Sequence, residues 1–566
     1  MTAAVRLADE LFDVLLDTDP VNATLLGIPG RDHLLNDLSE EAQEATATRL
    51  QDIAARAGEL DQRAMSAEDR RTIAVVVHQT DAELNRIRSR AVEFTVTDLF
   101  IAPAAELLVM APMAALPDAE RAEAYLDRLA AIPDYLAQAA ERHRTGVVTG
   151  HVPVARLVAA AVRQLDGHLD GRSSDPFAAP VPVVPPPAFA ERRDKLLADA
   201  VWPAFARYRQ VLAEEVAPHG RSVDQPGLCW LPNGKDTYAA LVRGHTTTDI
   251  SPEELHETGR HRMDALTREY VDIGGRALGV TDFPAILARL RDDRSLRWKD
   301  ADELLAAART AIARAEEAVP HWFGRLPTRS CVVAAAPESA GGGGPAGYYV
   351  PPSMDGAKPG TYYANTSRAE ERDRYGIEAI AFHEAVPGHH LQLSLAQELT
   401  GLPMLRRTGV LTAYAEGWGL YVERLADEMG LYSDHVARLG MLSADSRRTA
   451  RLVVDTGLHA FGWTREQAVS YLVENTTRPL VEIESDVDRF IALPGQALAY
   501  TVGQLEFQRI RANAERALGA RFDVRRFHDV VLGSGSLPLP VLADAVAEWA
   551  SAEAGVGEPG PERQAQ

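Results

Sequence analysis

The chain has 566 residues, 46% of them hydrophobic and 25% charged, an ordinary globular composition that excludes wholesale disorder. Its 59 Lys and Arg against 81 Asp and Glu leave a net charge of −22, which argues against nucleic-acid and anionic-membrane partners, since both need a basic footprint. Two cysteines, Cys229 and Cys331, exclude a disulfide framework and a zinc site built from cysteine alone.

At the N-terminus Asp9, Glu10 and Asp13 interrupt any apolar run, so no secretory signal is read there. Nowhere does the chain reach about 18 uncharged apolar residues, the length a membrane-crossing helix needs. The default expectation is a cytoplasmic protein. Apolar residues at three- and four-residue spacing predict amphipathic helices over 40–92, 117–145, 189–217, 252–271, 299–318, 403–430, 434–461 and 498–518. Ser251-Pro252-Glu253-Glu254 has the form of a capping box, and Pro320 stops the helix over 299–318. His256-Glu257, with His261 further on, reads as a solvated helix face. The prolines between 172 and 188 predict an extended surface connection. Three short strands are predicted: Cys331-Val332-Val333, Gly347 to Val350, and Thr361 to Asn365. Between the first two, Gly341 to Gly344 reads as a flexible loop without the Lys-Ser/Thr ending of a phosphate cradle.

The strongest chemical signal follows the strands: Phe382-His383-Glu384-Ala385-Val386-Pro387-Gly388-His389-His390-Leu391-Gln392. Zinc takes imidazole nitrogen and carboxylate oxygen, and a catalytic site uses three protein ligands plus water. The familiar His-Glu-x-x-His spacing is absent, because Pro387 stands where the second histidine belongs. In an unbroken helix His390 returns to the face of His383, but about 10.5 Å further along the axis. Proline in a helix interior costs about 3 kcal/mol, so a kink or bulge is expected at Pro387-Gly388, and a bulge swings His389 inward. Spacing alone leaves the second ligand between His389 and His390. A third ligand is read in Ala413-Tyr414-Ala415-Glu416-Gly417-Trp418, where a carboxylate among aromatics is costly unless paired or ligated. The competing reading of Glu416 is a core salt bridge to Arg424.

Further along, Arg451, Asp455 and His459 recur every four residues on one helix face, as an outer layer orienting a ligand histidine or as an ion-pair ladder. Tyr362 and Asn365, on a predicted edge strand, are candidates for pairing with an extended peptide substrate.

Several segments in order resemble the bacterial "domain of unknown function 885" family, a relative of the helical gluzincin metallopeptidases. They include Leu241-Val242-Arg243-Gly244-His245, Pro359-Gly360-Thr361-Tyr362-Tyr363-Ala364-Asn365, the His383–Gln392 segment, Glu416-Gly417-Trp418, Arg451-Leu452-Val453-Val454-Asp455, and Pro494-Gly495-Gln496-Ala497-Leu498-Ala499-Tyr500. The resemblance implies a mainly α, gluzincin-like fold with a deep cleft, and a small antiparallel sheet is expected beside the metal-binding helix. The expected division is an N-terminal helical lobe or lid over 1–170, a Pro-rich loop over 171–188, a metallopeptidase-like domain over 189–555 and a disordered tail over 556–566. Aligning Gly388-His389 with the gluzincin Gly-His pair favours His389 as second ligand, with His390 as the alternative. The resemblance also implies one divalent metal per chain on His383, His389 and Glu416, Glu384 as general base, and Tyr500 as the phenol aimed at the oxyanion; geometry and ligand type favour Zn²⁺, with manganese or cobalt as the alternatives. The implied function is zinc-dependent hydrolysis of amide bonds in short peptides. The alternatives are a metal-dependent amidase on a non-peptide amide and a non-catalytic helical binding protein.

Overall fold

The computed structural model describes residues 1–336 and 345–555; the Gly341–Gly344 run and the 556–566 tail lie outside the described residues. The architecture is mainly helical with one small sheet. The predicted capping box is present: Ser251 accepts from the Glu254 amide, the Glu254 carboxylate accepts from the Ser251 amide, and the helix runs from Pro252 to Leu278. The predicted helix over 40–92 is instead two, Glu40–Gly58 and Ala67–Arg88, the second capped by Ser66. His256 does not lie on a solvated face. Its Nδ1 is 2.8 Å from Thr456 Oγ1, and its ring meets the edges of Phe461 and Trp463.

The sheet is mixed rather than antiparallel. Strands β1 (Val332–Ala335), β2 (Gly347–Val350) and β3 (Thr361–Ala364) lie in the order β1-β3-β2. β2 pairs antiparallel with β3, whereas β1 pairs parallel with it. β3 is therefore the central strand and no edge. Tyr362 is fully buried, and Asn365 closes the strand end by donating to Pro345 O and accepting from Ser367 N. Neither residue is placed to receive a peptide as an added strand.

Core membership does not divide at residue 170. The buried faces of Ala3–Thr18, Glu40–Gly58 and Ala67–Arg88 share one core with the sheet, with His383's helix and with the C-terminal helices. A second core joins Ala119–Thr149 and Ala155–Asp170 to the helical stretch 189–216. The Pro-rich segment is stitched into this second core. Phe177 is fully buried, its carbonyl accepts from Tyr125 Oη at 2.9 Å, and Asp175 accepts from Trp202 Nε1 at 2.6 Å. Prolines extend the segment, but these anchors make it part of a packed unit and not a connection between two. Among the described residues no helix is long and apolar enough to cross a membrane.

Candidate metal centre

The helix Ile377–Glu384 ends as the sequence requires, at the Val386-Pro387-Gly388 break, and a new helix, His389–Glu398, starts beyond it. A Cβ on Gly388 would lie 1.8 Å from His383 O, so only glycine allows the chain to fold back this tightly. Trp418 Nε1 donates to Pro387 O at 3.1 Å, satisfying a carbonyl that the break removes from helical bonding. The result is that the His383 and His389 rings meet edge to face, with centroids 4.7 Å apart.

The third group comes from the helix Thr412–Glu428, which lies across both. Glu416 Oε2 is 3.5 Å from His383 Nε2 and 3.5 Å from His389 Nε2. One ligand atom from each of the three residues lies within 4.8 Å of the others. Ligand atoms about 2.0–2.1 Å from a tetrahedral zinc are separated by about 3.3 Å. The donor set, two imidazoles and a carboxylate, and its spacing therefore fit a zinc ion. Arg424, the competing partner for Glu416, is engaged by Glu269 and Asp445 instead.

His390 points the other way. Its Nε2 donates to Arg329 O at 2.9 Å, and its Nδ1 accepts from Tyr349 Oη at 2.9 Å, so both ring nitrogens are in use. It ties the His389–Glu398 helix to the sheet and is not a ligand.

One functional carboxylate escaped the sequence reading. Glu423 is buried and accepts from His383 Nδ1 at 2.8 Å, with Arg448 Nη1 3.5 Å from the same oxygen. This fixes the tautomer that leaves Nε2 facing Glu416. The signal was present: Glu423 follows Glu416 by seven residues, two turns along one helix face. Glu423→Gln is expected to weaken zinc binding by about 10–100-fold, the usual cost of losing a residue behind a ligand. Competition against a chelator of known affinity checks it.

Burial lowers the basicity of His383, but hydrogen bonds to Glu416 and Glu423 outweigh it and push the imidazole up to about 10. Burial raises the Glu416 carboxyl, yet bonds to His383 and His389 hold it well below the usual range. Glu384 is half-buried at the end of the first helix, and desolvation raises its carboxyl against the opposing pull of His383 and His389. The Tyr362 hydroxyl is buried, without a hydrogen-bond partner among the described residues, and within electrostatic reach of Glu384.

The ring of His383 is also positioned from behind. A Cβ on Gly419 would sit 2.4 Å from His383 Cε1. Gly419→Ala favours the helix by about 1 kcal/mol on propensity alone, so its expected effect is specific: helix content is retained while zinc affinity falls roughly tenfold or more as the ring is displaced. Circular dichroism beside a zinc titration separates the two effects.

Tyr500, at the start of the helix Ala499–Leu518, is buried, and Arg489 lies within electrostatic reach of both Tyr500 and Glu416. Arg451 stacks on the Tyr500 ring at 4.6 Å. Asp455 and His459 do not reach the triad. Asp455 accepts from Tyr238 Oη at 2.6 Å and from the Gly495 amide, and its carboxyl is pushed up to about 7 by burial. His459 accepts from the Leu228 amide and donates to Phe490 O. These two residues tie loops to their helix, and they form neither an ion-pair ladder nor an outer layer around a ligand.

Residues 20–546 match the family profile described as "Bacterial protein of unknown function (DUF885)". No curated protein matches the chain. Among solved structures the chain is similar to the "putative lipoprotein" from Colwellia psychrerythraea, at 25% identity and a TM-score of 0.91, over 97% of this chain and 99% of that one. It is also similar to a "putative lipoprotein of unknown function" from Shewanella oneidensis, at 19% identity and a TM-score of 0.74, over 97% of this chain and 100% of that one. The second likeness bears on the fold alone.

Proposed function

The chain belongs to the bacterial DUF885 family, and we propose that it is a gluzincin-like, zinc-dependent hydrolase that cleaves amide bonds of short peptides. The observation that carries the reading is the convergence of His383 Nε2, His389 Nε2 and Glu416 Oε2 beside the carboxylate of Glu384. Zinc bound there supplies Lewis-acid polarisation and a water of lowered pKa. Glu384 takes the proton of the attacking water and delivers it to the leaving amine, a task suited to a carboxylate whose basicity burial has raised. Tyr500, its ring stacked against Arg451, donates to the oxygen that becomes negative. Glu416 keeps 23% side-chain exposure, so substrate enters from its side.

The direct test is zinc loading followed by mass spectrometry of a mixed short-peptide digest. Cleavage that a chelator abolishes and zinc restores is expected; a zinc-replete chain that cuts no peptide removes the reading. A pH dependence follows as well. His383 holds a proton up to about 10, so at any lower pH zinc must displace it. Apparent zinc affinity is expected to rise about tenfold per unit between about pH 6 and 8. An affinity flat across that range contradicts the assignment.

The location we favour is the cell envelope, in place of the cytoplasm expected from sequence, because the Colwellia psychrerythraea relative is named a lipoprotein. Fractionation of the native host, with detection of this chain, tests it.

A further inference from the structure

We propose that Arg451 and Arg489 form a subsite that receives a carboxylate of the substrate beside the His383–His389–Glu416 triad. The inference rests on the hydrolase reading and adds the substrate class. The helix His435–His459 carries Arg447 and Arg451 one turn apart on the face that meets the helix Leu480–Ala492, and the latter brings Asp486, Arg489 and Phe490. Glu482 also faces Arg447 and Glu416 also faces Arg489, but the carboxylate within electrostatic reach of all three guanidinium groups is that of Asp486. That carboxylate is already taken: Asp486 accepts from Arg447 Nη2 at 2.8 Å and from Arg447 Nε at 2.9 Å.

Arg451 is 3% exposed, and its Nε and Nη1 have no hydrogen-bond acceptor among the described residues. Its guanidinium is held between two rings, 4.6 Å from Tyr500 and 5.6 Å from Phe490. Stacking orients the planar group but fills none of its N–H positions. Burial, with repulsion from Arg447, pulls its pKa down to about 9, which measures how poorly the charge is compensated. Arg489, half-buried, donates to Gln496 Oε1 at 3.0 Å, a neutral oxygen, and lies within electrostatic reach of Tyr500. A buried cation with open donors and a second cation bound only to neutral groups lack one thing, an anion with two acceptor oxygens. Tyr500 joins this subsite to the reacting bond, since its ring stacks on Arg451 and it lies within electrostatic reach of Arg489.

The carboxylate is either the peptide's C-terminus or an acidic side chain, and the probes separate them. Zinc-loaded Glu384→Gln chain, which binds without turning over, is titrated calorimetrically with N-acetyl-Ala-Ala, its C-terminal amide, and N-acetyl-Ala-Asp-amide. At least one acid is expected to bind about tenfold or more tighter than the uncharged amide. That preference should fall to about twofold or less when Arg451→Gln or Arg489→Gln is added, and Arg489→Lys should restore part of it. Arg489 is half-buried, so its variants keep the test alive where Arg451→Gln fails to fold. Equal affinity for all three probes, or an undiminished preference in a folded Arg489→Gln chain, overturns the subsite. Acid preference with no peptide hydrolysis by the wild-type chain keeps the subsite and removes the hydrolase reading. Hydrolysis without acid preference does the reverse.

Discussion

His389→Ala should emerge from dialysis without zinc, and His390→Ala should emerge with it. The two residues are neighbours in sequence, yet their rings meet different partners: His389 meets His383 and Glu416, and His390 meets Arg329 and Tyr349. His389 Nε2 lies 3.5 Å from Glu416 Oε2, and its Nδ1 meets no partner among the described residues, so removing the ring costs the site one of three ligands and little else. A site reduced to one imidazole and one carboxylate has lost the donor number that zinc takes in catalytic centres. His390 spends one nitrogen on Arg329 O and the other on Tyr349 Oη. Its removal should loosen the sheet against the helix by about 1–3 kcal/mol, the cost of buried groups left unsatisfied, without stripping metal. Elemental analysis of both variants, side by side with a thermal melt, reads both effects. Zinc retained by His389→Ala and lost by His390→Ala would falsify the ligand assignment.

The second large effect belongs to Glu384→Gln, for which zinc content should stay at the wild-type level while turnover drops by about 10²–10⁴-fold. Glu384 contributes no atom to the convergent triad, so the amide leaves the ligand set intact. The amide keeps the shape of the carboxylate and loses the ability to take a proton. Desolvation raises the native carboxyl, which brings its basicity closer to the working pH and makes the proton transfer more efficient than an exposed glutamate would allow. Once a zinc-dependent cleavage has been found, its rate in this variant is the readout. Activity above about a tenth of wild type would mean that another group handles the proton.

How much of this was legible before the structure depends on the range of the interaction. The Ser251 cap and the end of the first histidine helix are local, governed by proline, glycine and hydroxyl chemistry within four residues, and both are present where the sequence places them. The turn of His389 toward His383 follows from the same local rule. The strand pairing was not legible, because the order β1-β3-β2 and the parallel pairing of β1 with β3 join segments far apart in the chain, which no short pattern encodes. Glu423 left a helical-spacing signal that a search for ligands passes over, since it touches a histidine rather than the metal. Arg489 left none. It stands 73 residues beyond Glu416 and enters the electrostatics of the site only through the packing of a separate helix. The boundary expected at residue 170 failed for a related reason. Proline content reports local extension, whereas the burial of Phe177 depends on helices before and after it.

The shared core of the first and last helices has a consequence for synthesis. The chain emerges N-terminus first, and Leu38 with residues 96–216 can close a core of their own as soon as they leave the ribosome. The helices Ala3–Thr18, Glu40–Gly58 and Ala67–Arg88 cannot, because their apolar faces are completed by side chains from Leu228 onward, as far as Val546. They wait through the translation of several hundred residues with those faces open, at about 5–20 residues per second. The same delay holds for the metal centre, whose Glu416 is among the later residues made. An N-terminal deletion would therefore leave the part of the chain that carries the His383–His389–Glu416 triad with an uncovered wall, and holdase chaperones would find their binding surface on the oldest part of the nascent chain.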